Sequence, residues 1–162
     1  MPGSSSQLNR FFPNLLLKRL AGSRPVVDRP AYDKFLGVAL FLDISGFTPL
    51  TEAMAQRGSA GVEQLANLLD GYFQALIQVL HAQGGDVVQF VGDALWAVWP
   101  TTPDGLSLAV GQAAACALVI RDSLNGVEVY PGVDFHLRLV LAAGELFSVD
   151  VAAAEATSPR IQ

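Results

Sequence analysis

Two apolar, β-prone runs, each closed by an aspartate close to a glycine, constrain this chain more than any other feature. The first is Leu36-Gly37-Val38-Ala39-Leu40-Phe41-Leu42, which Asp43 ends and Ile44-Ser45-Gly46-Phe47-Thr48 follows. The second is Val87-Val88-Gln89-Phe90-Val91, which leads into Gly92-Asp93 and a further apolar run from Ala94. Runs of this length and content read as strands buried on at least one face. A lone carboxylate at a strand end is ordinary surface. Two of them, each near a glycine, suggest a pair brought together to hold hard cations for phosphate chemistry. On the residues alone, an N-cap or turn role for each aspartate stands as the alternative.

Composition narrows the class. The 162 residues are 51% hydrophobic and 15% charged, which fits one compact domain with a sizeable core and excludes a disordered chain. A net charge of −5 argues against a nucleic-acid binder, which would carry a basic footprint. Cys116 is the one cysteine, so no disulfide framework forms within the chain. A reducing, cytoplasmic compartment and a buried thiol are expected. No apolar stretch reaches the roughly 18 to 20 residues of a membrane span. The best stretch, residues 106–120, contains Ser107, Gly111 and Gln112 and reads as a buried helix. The start, Met1-Pro2-Gly3-Ser4-Ser5-Ser6, lacks the pattern of a signal peptide.

Six of the ten basic residues fall within the first 34, among the apolar Leu8, Phe11, Phe12, Leu15, Leu16 and Leu20. A membrane-surface helix is one reading. A helix packed on its own domain is the other, and it is the one expected here, without membrane association.

The pattern predicts a helix over residues 7–20, interrupted at Pro13, and a linker with Pro25 and Pro30. A strand over 35–43 follows. Thr48 is expected as the N-cap of the next helix, with Pro49 at its first position and an end near Gly58. A longer helix starts after Ser59. Its apolar positions include Leu65, Leu69, Tyr72, Leu76 and Leu80, and Gly84-Gly85 stops it. Residues 86–91 and 94–99 form a hairpin across Gly92-Asp93. Asp104 caps a helix over 105–124, and a last strand spans 135–143. The expected order is βααββαβ. That is an α+β, ferredoxin-like sandwich with an antiparallel-containing sheet covered by helices. The domains are expected as an N-terminal helix and linker over 1–30, a catalytic-type domain over 31–146 and an irregular tail over 147–162.

On adjacent central strands, Asp43 and Asp93 would sit a few ångströms apart, where two ionised carboxylates repel unless cations lie between them. Mg²⁺ suits such an all-oxygen site and takes waters and substrate phosphates as its other ligands. The segment from Ile44 to Thr48 leads into a helix N-terminus, which favours an anion, and Gly46 lets backbone approach a phosphate closely.

The motif from Phe41 to Thr48, together with that from Gly84 to Trp99, resembles the class III nucleotidyl cyclases. The likeness is closest to the first catalytic half of soluble adenylyl cyclase and its bacterial relatives. It spans about residues 30 to 146 and includes Leu137 to Gly144. The resemblance implies a palm-like cyclase fold. It implies formation of cyclic AMP from ATP, or cyclic GMP from GTP, with release of pyrophosphate. Two Mg²⁺ ions, with Mn²⁺ as a substitute, would be carried by Asp43 and Asp93 with the carbonyl of Ile44. The backbone of Ile44, Gly46, Phe47 and Thr48 would cradle the triphosphate. Family sites lie at a dimer interface, so a second cyclase half is implied as partner, in a homo- or heterodimer.

Two departures stand out. Many family members carry a lysine where this chain has Gln89, at a pocket for the base or for a regulator such as bicarbonate. A neutral amide can hydrogen-bond a base edge, but it holds no anion by charge. The family also continues with an asparagine and an arginine that orient the ribose and stabilise the transition state. No Asn-x-x-x-Arg pattern follows Gly144. The domain is therefore expected to be C-terminally partial, and inactive or weakly active alone. A solvent-facing strand residue is the plain alternative for Gln89. A non-catalytic cyclase-like dimerisation or regulatory module is the alternative for the whole. Gly84-Gly85-Asp86 is similar to the diguanylate cyclase signature, but Val87-Val88 follows where that signature needs Glu-Phe. His81 and His136 lack metal-ligand spacing and are expected to be structural.

Overall fold

The computed structural model describes residues 31–150. The expected N-terminal helix and linker over 1–30 lie outside them. The described chain runs β1 (Ala31–Ser45), α1 (Phe47–Ala55), α2 (Ser59–Ala82), β2 (Asp86–Val91), β3 (Ala94–Thr101), a 3-10 turn (Pro103–Gly105), α3 (Leu106–Leu124), β4 (Val127–Tyr130) and β5 (Val133–Asp150). The strands form a sheet in the order β2-β3-β1-β5-β4, antiparallel at each junction.

Strand β1 lies at the centre because it is apolar on both faces. Alternate residues of a strand point to opposite faces. Val38, Leu40, Leu42 and Ile44 are buried in the core with Leu95, Ala97 and Trp99 of β3. Helix α2 meets this face through Tyr72, Leu76 and Leu80, which recur at helical spacing. Helix α3 meets it through Ala109, Ala113, Cys116 and Ile120. The small residues of that stripe let the helix axis lie close to the sheet. The Tyr72 hydroxyl donates to the carbonyl of Leu124 at 2.9 Å and ties α2 to the end of α3.

Several expectations needed correction. The cap of α1 is Gly46, with φ at 103°, and no side chain caps it. Thr48 and Pro49 stand inside the helix, because the left-handed turn at Gly46 already redirects the chain. Asp104 sits in the 3-10 turn, and Gly105 is the N-cap of α3. Helix α3 is buried along one stripe only; Leu108 and Leu118 are exposed. By length and composition alone it would suffice to cross a membrane. Strand β4 was not expected. It is a four-residue run before Pro131-Gly132, too short to register as an element. Strand β5 continues through residues 147–150, which the sequence pattern placed in an irregular tail. Pairing of Phe147 with Lys34 and of Val149 with Tyr32 extends it.

Burial also sets chemistry in the core. The Cys116 thiol is pushed up to about 11 by desolvation, and the Tyr72 phenol to about 12. Both acids are held neutral by the fold. Their contribution is complete below the ordinary pKa and is lost as pH rises through the folded one. Urea unfolding should therefore show stability falling as pH climbs from about 9 towards 11, the Cys116 interval. Cys116→Ala should make the fall over that interval shallower, leaving the Tyr72 contribution, and an unchanged slope would contradict it.

Candidate active site

The hairpin β2–β3 and the central strand β1 place the two aspartates. In the β1–β3 register, Asp43 pairs with Ala94. Asp93 immediately precedes Ala94, in the Gly92-Asp93 turn, so the two carboxylates are diagonal neighbours at one end of the sheet. The turn is tight because Gly92 adopts φ 63°. Both aspartates are partly buried. Ile44 is 1% exposed, so its side chain belongs to the core and only its backbone could serve a ligand.

Just past Asp43 the chain turns into α1. Gly46 takes φ 103°, and a Cβ there would collide with the carbonyl oxygen of Asp134 on β5. No other residue fits both constraints. Phe47 stacks on Phe135 at 6.3 Å, and Phe135 in turn meets the edge of Tyr72 at 5.0 Å. Phe135 is fully buried. The aromatic column therefore anchors the start of α1 to the core. The first-turn N–H groups of α1, around Phe47 and Thr48, have no partner inside the helix. Thr48 is exposed, and its carbonyl accepts the Thr51 hydroxyl at 2.8 Å.

Arg138 was missed as a candidate. It pairs with Asp43 in the β1–β5 register, and its Nη1 lies 3.7 Å from Asp43 Oδ2. Its side chain is 79% exposed, so this contact stabilises the fold by no more than about 0–1 kcal/mol. An arginine within the apolar run from Leu137 to Ala143 was the available signal. Its meaning depended on the register between β1 and β5. Both histidines are exposed, and the carbonyl of His136 accepts the Ser45 hydroxyl at 3.2 Å.

Gln89 does not join this cluster. It pairs with Trp96, on the side of the sheet away from the helices, and lines a groove of about 400 Å³. Its partner Trp96 in turn lies opposite Phe41, two residues before Asp43 on β1.

The donor set suits a hard divalent cation. It offers two carboxylates beside backbone oxygen, with no soft ligand in the cluster. Among the described residues no group of three or more His, Cys, Asp and Glu gathers as a closed metal cage. Such a site leaves coordination positions for substrate phosphates, the arrangement Mg²⁺ favours.

No family model matches the sequence. Adenylate cyclase type 10 from Rattus norvegicus is 36% identical over 121 residues, which are 74% of this chain and 8% of that protein. The chain is homologous to the catalytic domains of class III nucleotidyl cyclases. The fold agrees. A bacterial light-regulated adenylyl cyclase superposes with a TM-score of 0.60 at 20% identity, over 93% of this chain and 42% of that one. A class III adenylyl cyclase-like ATP-binding protein from Pseudomonas aeruginosa superposes at 0.59 and 18% identity, over 72% of this chain and 26% of that one. The chain thus spans a small part of the curated relative it matches, and is partial relative to the full cyclase domain.

The phosphate-facing turn gives a test. Gly46→Ala forces an L-residue into a left-handed turn against the Asp134 carbonyl, at a cost of roughly 1–3 kcal/mol. Circular dichroism should show a folded protein with a lowered urea midpoint. Calorimetry should show Mg-ATP affinity reduced at least about tenfold, a ~1.4 kcal/mol change. Full affinity in this variant would exclude the turn from the site.

Proposed function

We propose that this chain supplies the metal- and triphosphate-holding half of a nucleotidyl cyclase site, with ATP as the first candidate substrate and GTP as the second. The observation that carries the reading is the β1–β3 register. It sets a strand-end carboxylate and a turn carboxylate side by side, next to a glycine-led helix N-terminus.

In the reaction, the ribose 3′-oxygen forms a bond to the α-phosphorus. The bond from that phosphorus to the bridging oxygen breaks, and pyrophosphate leaves with the electron pair. The 3′-hydroxyl proton passes to water. Asp43, Asp93 and the Ile44 carbonyl would hold two Mg²⁺ ions, or Mn²⁺ in their place. When bound, these ions activate the attacking hydroxyl and neutralise the leaving phosphate. Gly46, Phe47 and Thr48 offer backbone N–H groups to the triphosphate, aided by the positive end of the α1 dipole. Arg138 stands beside Asp43 with its guanidinium largely in solvent. A fork of donors there suits bidentate contact with phosphate oxygens. With the nucleotide bound, Arg138 would exchange a weak contact to Asp43 for a stronger one to phosphate. Gln89 would offer an amide donor and acceptor to a base edge or regulator on the open face. A second cyclase half would complete the site and exclude water, so catalysis would rest on positioning and charge stabilisation.

A non-catalytic, nucleotide-binding module is the second reading. The likeness to the Pseudomonas aeruginosa ATP-binding protein favours it. Calorimetry and an isotope assay for cyclic AMP and cyclic GMP separate the cases. Under the cyclase reading, Asp93→Asn lowers Mg-nucleotide affinity by about tenfold or more. The chain alone then turns over little, and a complementary cyclase half raises turnover in an Asp93-dependent way. Binding by the wild type without any such gain would support the module. Affinity unchanged by Asp93→Asn would exclude both readings of the carboxylate pair.

Arg138→Ala gives a separate check. It should leave the unfolding midpoint within about 0.5 kcal/mol, as for an exposed surface residue. It should weaken binding of ATP more than binding of AMP. Equal losses for the two nucleotides would place Arg138 away from the terminal phosphates.

A further inference from the structure

Helix α3 presents to solvent an apolar stripe that neither the core nor the proposed chemistry uses. Its inner side packs on the sheet through Ala109, Ala113, Cys116 and Ile120. On its outer side stand Leu108, Gly111, Ala115 and Leu118, all exposed, with Leu108 at 68% and Leu118 at 49%. Their spacing of three, four and three residues is that of a helix–helix seam. No Asp, Glu, Lys or Arg occurs from Gly105 to Ile120, so no charge interrupts the stripe. Gly111 is its most informative member. A glycine inside a helix destabilises it relative to alanine. A Cβ at Gly111 would meet nothing within 4 Å, so the fold of the single chain does not require the glycine. A second helix approaching closely would. Gly71 of α2 is equally free of contact, but the polar pair Asp70 and Gln74 beside it makes no apolar seam.

The stripe is complementary to itself. Laid antiparallel about a two-fold axis level with Ala113, two copies set Leu108 against Leu118 and Gly111 against Ala115. Each pairing then occurs twice, as in any isologous contact. The charges at the two ends fit the same arrangement. Arg121 holds Asp122 of its own chain at 2.7 Å, and both side chains are exposed. The antiparallel pair brings the second copy's Asp104, also exposed, to the same level. Arg121 then stands between two carboxylates, and the helix dipoles oppose one another. A parallel pair would instead set Asp104 against Asp104 and align the dipoles. A membrane fits the stripe less well. An interfacial helix carries basic residues toward anionic lipid, whereas this one ends in Asp104 at one end and an already paired Arg121 at the other.

We infer that a second copy of this chain docks on α3, forming an antiparallel two-fold helix pair centred beside Ala113. The 19 residues of α3 offer about 28 Å of contact, which places the pair in the small, reversible class of interface. Helix α3 lies on the side of the sheet opposite the Gln89 groove. The pair therefore leaves the open face to nucleotide and to a second cyclase half, and it does not rest on the cyclase reading.

Disulfide trapping in the full chain reads the geometry. Leu108→Cys and Leu118→Cys proteins, one of them ¹⁵N-labelled, are mixed in equal amounts and oxidised gently. The buried Cys116 does not compete. The expected result is an excess of disulfides between unlike copies over the random-collision proportion. An excess between like copies would show a parallel seam and overturn the proposal, as would random proportions or no disulfide dimer. Sedimentation equilibrium adds a second measurement. The unsubstituted chain should gain mass with concentration. Leu118→Asp, at an exposed position, should weaken that association at least about tenfold with the urea midpoint unchanged. Association unaltered in this variant, or an unsubstituted chain that stays monomeric, contradicts the proposal. Flotation with phosphatidylserine-containing vesicles should leave the chain unbound. Binding to them that Leu118→Asp removes would assign the stripe to a membrane and overturn the proposal equally.

Discussion

The antiparallel pairing of β1 with β3 holds the two carboxylates at one end of the sheet, and everything proposed for the active site depends on its register. A slip of one residue would turn every side chain of β1 to the opposite face. Leu40, Leu42 and Ile44 would then leave the core, at a cost of about 1.5–3 kcal/mol for each large apolar side chain exposed. The exposed contact between Asp43 and Arg138 contributes at most about 1 kcal/mol and cannot set the register. The core therefore decides where the polar residues stand, and the candidate site is a consequence of hydrophobic packing on the far side of the same strand.

That division gives the open face of the sheet two characters. Toward the end of β1 it is polar, with Asp43, Asp93 and Arg138 near the first turn of α1. Toward the start of β1 it is apolar, with Phe35, Val98 and Leu146 around a groove. Trp96 stands between the two, in tilted contact with Phe41 at 5.0 Å. A cyclase-type site needs precise placement at the polar end. The apolar end needs cover, since exposed apolar surface of this kind promotes association.

Much of this was legible in the residues. The apolar run into Asp43, the Gly92-Asp93 turn and the helical spacing of Tyr72, Leu76 and Leu80 each correspond to an element of the described fold. Pairing was the hidden quantity. Sequence shows a strand running into Asp43, which in the fold continues to Ser45, but not that Arg138 lies across from it, because strand partners are remote along the chain. The cap of α1 escaped for a different reason. A threonine before a proline is the commoner helix start, and the left-handed Gly46 depends on the nearby Asp134 carbonyl, which only tertiary structure supplies. Strand β4 escaped because four residues carry little periodicity. Gln89 was placed correctly on β2, but its neighbours Trp96 and Val98 belong to a groove that no local pattern announces.

The central claim is that Asp43, Asp93 and the start of α1 form one nucleotide–metal site. Paramagnetic broadening of backbone amide signals by Mn²⁺, with a non-hydrolysable ATP analogue, tests it most directly. The account predicts losses centred on residues 43–48, 92–94 and 138, with the amides around Phe35 and Leu146 unaffected. Broadening centred elsewhere, or none at saturating analogue, would contradict it.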